Sequence, residues 1–279
     1  MKCHAPLNIV NPRTPDDRTN RIEVPCNKCS ACLETRRGEW TNRIIHEQEN
    51  SSGAQFITLT YEDDKLTWGE SHPTLVKSDL QKFFKILRKN IHPDKIRYYA
   101  VGEYGTTTLR PHYHVILFNL NINKIDEIHK AWKHGHTHIG EVNRASIHYV
   151  CKYHLNKNYS PPGCQESFAT MSRKPGIGHA YIEKSRSYHE GKIDRNYLLQ
   201  RGGIKSRLPR YYKERLYTDR ERRAIAERAQ QERSRWMDAE QIEEHHRMNP
   251  DVNFFDYKVQ QIQDFERNHK IKINKTNKL

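Results

Sequence analysis

The chain has 279 residues, with 48 Lys and Arg against 34 Asp and Glu and a formal net charge of +14 at pH 7. That length supports one cored domain with extensions rather than two equal domains, and the charge favours a polyanionic partner, nucleic acid before an acidic membrane surface. No apolar run approaches the roughly 18 residues a spanning helix needs, and Met1-Lys2-Cys3-His4-Ala5-Pro6 does not open a signal peptide, so a soluble intracellular protein is expected.

Six cysteines in such a chain point to metal ligands or free thiols rather than disulfides. Cys26, Cys29 and Cys32 make two overlapping Cys-x-x-Cys steps after Pro25, and Cys3 stands near the start. Together they can close a tetrahedral structural zinc site that ties the N-terminal arm to the next helix. An iron–sulfur cluster, or reduced thiols at helical i, i+3, i+6 spacing, are the alternatives. The helix expected over about 31–48 is basic, with Leu33, Trp40 and Ile44 inside and Arg36, Arg37 and Arg43 outside. Those arginines serve either as a solvated face or as phosphate contacts.

Ala54 to Tyr61 alternates like a strand. Ser78 with Gln81 forms a capping-box signature, and Leu80, Phe83, Phe84 and Leu87 follow at i, i+3, i+4, i+7, which predicts an amphipathic helix. Strands over about 96–103 and 112–119 come next. A helix over about 124–133 with Ile125, Ile128 and Trp132 on one face and a shorter strand over about 136–142 complete the series. The order β-α-β-β-α-β is that of the split βαβ (ferredoxin/RRM-like) α+β fold: a central antiparallel sheet with its helices packed on one face.

The strand after Arg110-Pro111 reads His112-Tyr113-His114-Val115-Ile116-Leu117-Phe118. Alternation puts His112 and His114 on one face and Tyr113 on the other. Glu103 ends the preceding strand, and a hairpin brings it to the histidines as a third ligand. Two imidazoles and one carboxylate, with positions left open, suit a catalytic Mg²⁺ or Mn²⁺. His134, His136 and His138 lack an evident carboxylate partner and read as surface or strand residues.

A helix starting near Ala145 carries Tyr149, Lys152 and Tyr153 at i, i+3, i+4, with Lys157 a turn further on. These tyrosines either pack against the sheet or act as nucleophiles. A tyrosine hydroxyl can attack a phosphodiester if a metal polarises the phosphate while lysine offsets the developing charge, and two hydroxyls permit two successive transfers. Beyond this helix, Tyr159 to Gly163 is a loop and Cys164 has no obvious partner. Ser172 to Gly178 combines Arg173 and Lys174 with glycines, as a DNA grip or a plain surface turn. Tyr211 and Tyr212 beside Arg210 either stack on unpaired bases or pack the domain end. From Lys213 to about Arg247 interleaved Arg and Glu predict a solvated helix. Phe254 to Phe265 predicts a last short docking helix, and the tail from His269 reads as disordered.

Several of these stretches share a fixed order with one family. Phe56-Ile57-Thr58-Leu59-Thr60-Tyr61, Val101 to Gly105, Arg110-Pro111-His112-Tyr113-His114 and the two-tyrosine helix resemble the HUH endonucleases. The cysteine run, Arg97-Tyr98-Tyr99, Phe168 to Gly178 and Leu208-Pro209-Arg210-Tyr211-Tyr212 are similar to replication initiators of the Microviridae, in the gokushovirus branch, over about residues 1–215. The resemblance implies a Cys-rich arm and basic helix over 1–50, an HUH core over 51–212 and a charged helical extension with a basic tail over 213–279. It implies His112 and His114 as metal ligands, with Glu103 a more variable third. Tyr149 and Tyr153 match the nucleophiles, and Lys152 and Lys157 the lysines of the tyrosine motif. Arg36, Arg37, Arg110, Arg173, Lys174 and Arg210 are the candidate DNA contacts. The activity implied is rolling-circle initiation in the cytoplasm of an infected bacterium. One tyrosine nicks the origin strand, keeps the 5′ phosphate and frees a 3′-OH for host polymerase; the other cuts the regenerated origin and the circle is closed. No Gly-x-x-x-x-Gly-Lys-[Ser/Thr] stretch occurs, which implies a host helicase. The other readings are an HUH relaxase or transposase of a mobile element, and a non-enzymatic zinc-stabilised single-stranded DNA binding protein.

Overall fold

The computed structural model describes residues 3–152, 160–200, 202–237, 247–248 and 254–276. The chain divides into two compact units, Met1–Arg36 with Ser185–Leu279, and Arg37–Lys184.

The first unit opens with an antiparallel hairpin of β1 (Leu7–Val10) and β2 (Arg21–Val24), followed by α1 (Ser30–Glu49), whose length continues into the second unit. The second unit is built on β3 (Ala54–Thr60), β4 (Arg97–Tyr104), β5 (Pro111–Phe118), β6 (Thr137–Glu141) and β7 (Phe168–Met171). Their order in the sheet is β6-β3-β5-β4-β7, with every pairing antiparallel. With α2 (Lys77–Asn90) and α3 (Asp126–Ala131) between strands, the expected β-α-β-β-α-β order is present, β5 is central and β7 extends one edge.

Helices cover both faces of this sheet rather than the single face expected. Leu80, Phe83, Phe84 and Leu87 of α2 and Ile128 and Ala131 of α3 pack with Ile57, Leu59, Val115 and Leu117. On the opposite face, Ile44 of α1 and Ile147, Val150 and Cys151 of α4 (Arg144–Lys152) pack with Tyr99, Val101, Ile116 and Phe118. The physical reason lies in β5: Val115-Ile116-Leu117-Phe118 is an unbroken apolar run, buried on alternate residues of both faces, and such a strand needs cover on each side.

The capping box expected at Ser78 does not form. The helix begins at Lys77, Ser78 falls inside the first turn, and no side chain caps Val76 in the usual way. The buried Tyr113 hydroxyl takes that role: it accepts the Val76 N–H at 2.9 Å and lies 2.9 Å from the Val76 carbonyl and 2.7 Å from the Tyr61 hydroxyl. Tyr113→Phe keeps the ring but strips these partners, at an expected cost of about 1–3 kcal/mol. Urea unfolding should show the midpoint fall with the slope unchanged; an unmoved midpoint would mean the hydroxyl anchors nothing.

The later part of the first unit contains α5 (Ala180–His189), whose first turns belong to the second unit, the hairpin of β8 (Tyr197–Leu199) and β9 (Lys205–Arg207), then α6 (Arg210–Leu216) and α7 (Asp219–Met237). The single solvated helix expected from Lys213 is two helices. They part at Thr218, whose hydroxyl accepts the Glu221 N–H while the Glu221 carboxylate accepts the Thr218 N–H. The last helix runs Phe254–Thr276, so most of the stretch expected to be a disordered tail is helical. His269 is buried there and paired with Glu34 at 3.1 Å. Composition hid this, because the helix is held by polar anchors rather than by an apolar stripe.

Candidate metal centre and nucleophile

Strand register builds the site. In the β4–β5 hairpin Glu103 pairs with His112 and Val101 with His114; on the other side of β5, β3 sets Thr58 against His114. Cross-strand partners share a face, so Glu103, His112, His114 and Thr58 all project to the side covered by α1 and α4. The ligating atoms of Glu103, His112 and His114 lie within 4.8 Å of one another. Both imidazole Nε2 atoms are 3.3 Å from the same oxygen, Glu103 Oε1.

The far side of each ring is fixed as a metal ligand requires. His112 Nδ1 lies 3.1 Å from the Arg110 carbonyl, which can only accept, so Nδ1 carries the proton and a neutral ring presents its Nε2 lone pair to the site. The same carbonyl accepts the Gly105 N–H at 3.0 Å, locking the turn that carries the ring. His114 Nδ1 meets the Thr58 hydroxyl at 3.0 Å. His114 is buried between Phe56, stacked at 5.4 Å, and Tyr149, edge-on at 5.0 Å. Its Nε2 has no hydrogen-bond partner among the described residues, although it approaches Glu103 Oε1. A buried, unpaired imidazole nitrogen aimed at a carboxylate and a second imidazole is a donor set that fits a divalent ion.

The charges agree. Burial opposes ionisation of Glu103, but the hydrogen bonds and charges of His112 and His114 outweigh it and hold the carboxyl well below the usual range. Burial likewise works against a charged His112, and Glu103 overcomes it, so that this ring titrates above an ordinary histidine. Burial wins at His114, with His112 adding to it, and keeps that ring below its ordinary value.

Helix α4 delivers Tyr149. Its N-terminus is set by a reciprocal pair that was not read from the sequence: the Asn143 side chain accepts the Ser146 N–H, and the Ser146 hydroxyl accepts the Asn143 N–H, both at 2.9 Å. With Ile147, Val150 and Cys151 buried, Tyr149 turns toward the sheet, and its hydroxyl donates to Glu103 Oε1 at 2.8 Å. Burial first, and then the Glu103 charge, push the phenol above its ordinary value. Lys152 Nζ lies 5.5 Å over the Tyr149 ring, and burial lowers its affinity for a proton. Tyr153 and Lys157 lie outside the described residues.

Thr58 had no role assigned from sequence; the signal was its place on the polar face of an alternating strand, opposite a histidine in the register. The other histidines stand apart from the triad. His134 does meet a carboxylate, Asp79 at 3.7 Å, and packs on Trp132, but no three-ligand cluster includes His134, His136 or His138 among the described residues.

The candidate DNA contacts are not one patch. Arg110 is engaged by Asp63 at 2.5 Å and by the Tyr61 carbonyl at 2.6 Å. Arg173 and Lys174 are exposed, whereas the glycine amides beside them are not all free for phosphate: Gly178 donates to Glu47 at 2.6 Å. Arg36 and Arg37 are half-buried on α1. In the first unit Arg210 is exposed and paired with Glu214, Tyr211 lies beneath Arg215 at 3.8 Å, and Tyr212 is fully buried, so Tyr212 packs the domain end rather than a base.

The four N-terminal cysteines converge as well: the Sγ atoms of Cys3, Cys26, Cys29 and Cys32 lie within 4.8 Å of one another. Cys151 is buried in the core and Cys164 Sγ approaches the His72 carbonyl at 3.4 Å; both are free thiols. No helix among the described residues is long and apolar enough to cross a membrane.

A family model of replication-associated proteins, of the ORF2 type, matches residues 54–158, which contain the triad and Tyr149. Replication-associated protein VP4 of Bdellovibrio phage phiMH2K is 29% identical over 219 residues, covering 68% of this chain and 66% of the relative. Replication-associated protein ORF2 of Spiroplasma virus 4 is 30% identical over 218 residues, covering 69% and 67%. Replication-associated protein ORF4 of Chlamydia phage 1 is 24% identical over 220 residues, covering 68% and 53%. No solved structure matches the chain. On the strength of the second of these relatives, aligned over two thirds of both partners, the chain belongs to the replication-associated proteins of microvirus-type phages.

Proposed function

We propose that the protein is a metal-dependent HUH-type endonuclease and strand transferase that initiates rolling-circle replication of a single-stranded DNA phage. One observation carries the reading: the Tyr149 phenol donates to the carboxylate oxygen that both imidazole Nε2 atoms face. A packing tyrosine has no reason to be placed there, whereas a nucleophile does.

Tyr149 Oη attacks the origin phosphorus, an O–P bond forms to the tyrosine, and the P–O3′ bond breaks. The phenol proton passes to solvent, the departing 3′ oxygen takes one up, and the 5′ phosphate stays on the protein. Glu103 Oε1 aims the phenol oxygen by accepting its hydrogen bond. Mg²⁺ or Mn²⁺ held by His112, His114 and Glu103 supplies Lewis-acid polarisation of the phosphate and positive charge beside the phenol. Lys152 offsets the negative charge that grows on the phosphate oxygens. Tyr153, supported by Lys157, performs the second transfer. Each step exchanges one phosphodiester for another, so rejoining needs no ATP; the freed 3′-OH primes host polymerase while a host helicase opens the duplex. The reaction takes place in the cytoplasm of the infected bacterium, with Arg36, Arg37, Arg110, Arg173, Lys174 and Arg210 as DNA contacts.

The test is an adduct. Full-length protein mixed with single-stranded origin DNA and Mn²⁺ should give a protein–DNA species that survives denaturation. Tight binding with no adduct under any metal would favour the single-stranded DNA binding protein instead. Thr58→Val probes the outer contact of His114. It should weaken Mn²⁺ binding by roughly 10–100-fold, read as a shift in the Mn²⁺ concentration giving half-maximal nicking; an unshifted curve would remove Thr58 from the site.

A further inference from the structure

We propose that Cys3, Cys26, Cys29 and Cys32 bind one zinc ion as a four-thiolate structural site, and that this knot seats the C-terminal helix on the start of α1. Sulfur spacing makes the first part of the case. A tetrahedral site with Zn–S bonds of about 2.3 Å places its sulfurs about 3.8 Å apart. Cys3 and Cys29 Sγ are 3.9 Å apart and Cys26 and Cys32 Sγ 4.0 Å apart, far beyond the ~2.0 Å of a disulfide.

The backbone is also arranged for thiolates. Asn27 adopts a left-handed conformation, φ 59°, which wraps the chain around the Cys26 sulfur. The amides of Lys28 and Cys29 point at Cys26 Sγ at 3.5 and 3.3 Å, and the Cys26 amide points at Cys3 Sγ at 3.3 Å. Donors aimed at sulfur favour the charged ligand over the thiol. Each thiol loses its proton to solvent as the metal binds.

The second part rests on chain neighbours of the ligands. Ser30, next to Cys29, donates to Glu266 Oε1 at 2.5 Å, and His4, next to Cys3, lies 3.2 Å from the same oxygen and edge-on to Phe265 at 5.3 Å. One turn further along α1, Glu34 pairs with His269. Two segments remote in sequence therefore meet the C-terminal helix through residues that the metal positions.

Full-length protein purified without chelator should carry one zinc per chain by elemental analysis and retain it in His114→Gln, which separates this site from the proposed catalytic one. Cys29→Ser should lose it. Because that variant can fail to fold, wild-type protein stripped by chelator and titrated with Co²⁺ gives a second readout: the visible absorption of a tetrahedral thiolate complex. On stripping, amide exchange over 254–276 should accelerate by roughly tenfold or more. Iron with labile sulfide, no zinc and no Co²⁺ absorption, or zinc lost from His114→Gln but kept in Cys29→Ser, would each overturn the zinc assignment. Unchanged exchange in the C-terminal helix after stripping would overturn its seating by the knot.

Discussion

Tyr149→Phe combined with Tyr153→Phe is expected to abolish the denaturation-resistant DNA adduct, with nicking reduced on the order of 10⁴-fold or more. The Tyr149 change removes one oxygen. The ring still packs edge-on against His114, and Ile147, Val150 and Cys151 still bury α4, so the fold should persist in circular dichroism and in thermal unfolding. Loss of the adduct in a folded protein therefore reports on the hydroxyl. Tyr149→Phe alone should remove most of the initial cleavage, because Tyr149 is bonded to Glu103. A double variant that still becomes linked to DNA would place the nucleophile elsewhere and end the proposed mechanism.

His114→Gln should lower Mn²⁺-dependent nicking about 10²–10³-fold. The amide fills much of the space of the ring and can still meet Thr58, but it offers a poorer ligand at a position where the imidazole nitrogen otherwise goes unpaired. Glu103→Gln should act in the same direction, since it removes the negative charge that both rings face. His138→Ala is the matched control: it also lies opposite Thr58, on the β6 side, but belongs to no ligand cluster among the described residues, and its rate should stay near wild type. Nicking by His114→Gln at the wild-type rate and Mn²⁺ requirement would refute the triad.

The triad was legible because its logic is local. Alternation along β5 fixes which way His112 and His114 point, and a short hairpin carries Glu103 to their side. The sheet order was legible for a related reason, since periodic apolar runs separated by amphipathic helices leave few ways to pair. Tertiary cover was harder. Nothing in the basic composition of α1 announces that Ile44 closes the second face of the sheet, and Tyr113, placed correctly on the face opposite the histidines, gave no hint that its hydroxyl would anchor the start of α2. Ser78 misled because a capping-box pattern one residue into a helix looks the same as one at its start. The C-terminal helix was underestimated because Glu266 and His269 hold it through charge and hydrogen bonds to distant Ser30 and Glu34.

The closed turn between Glu103 and His112 acts as a ruler. Adding or deleting a single residue between Gly105 and Arg110 would swing one side of the hairpin by half a pleat and send the carboxylate into the α2 layer, away from the imidazoles. The composition of that turn is therefore free to drift, while its length and the carbonyl of Arg110 are not.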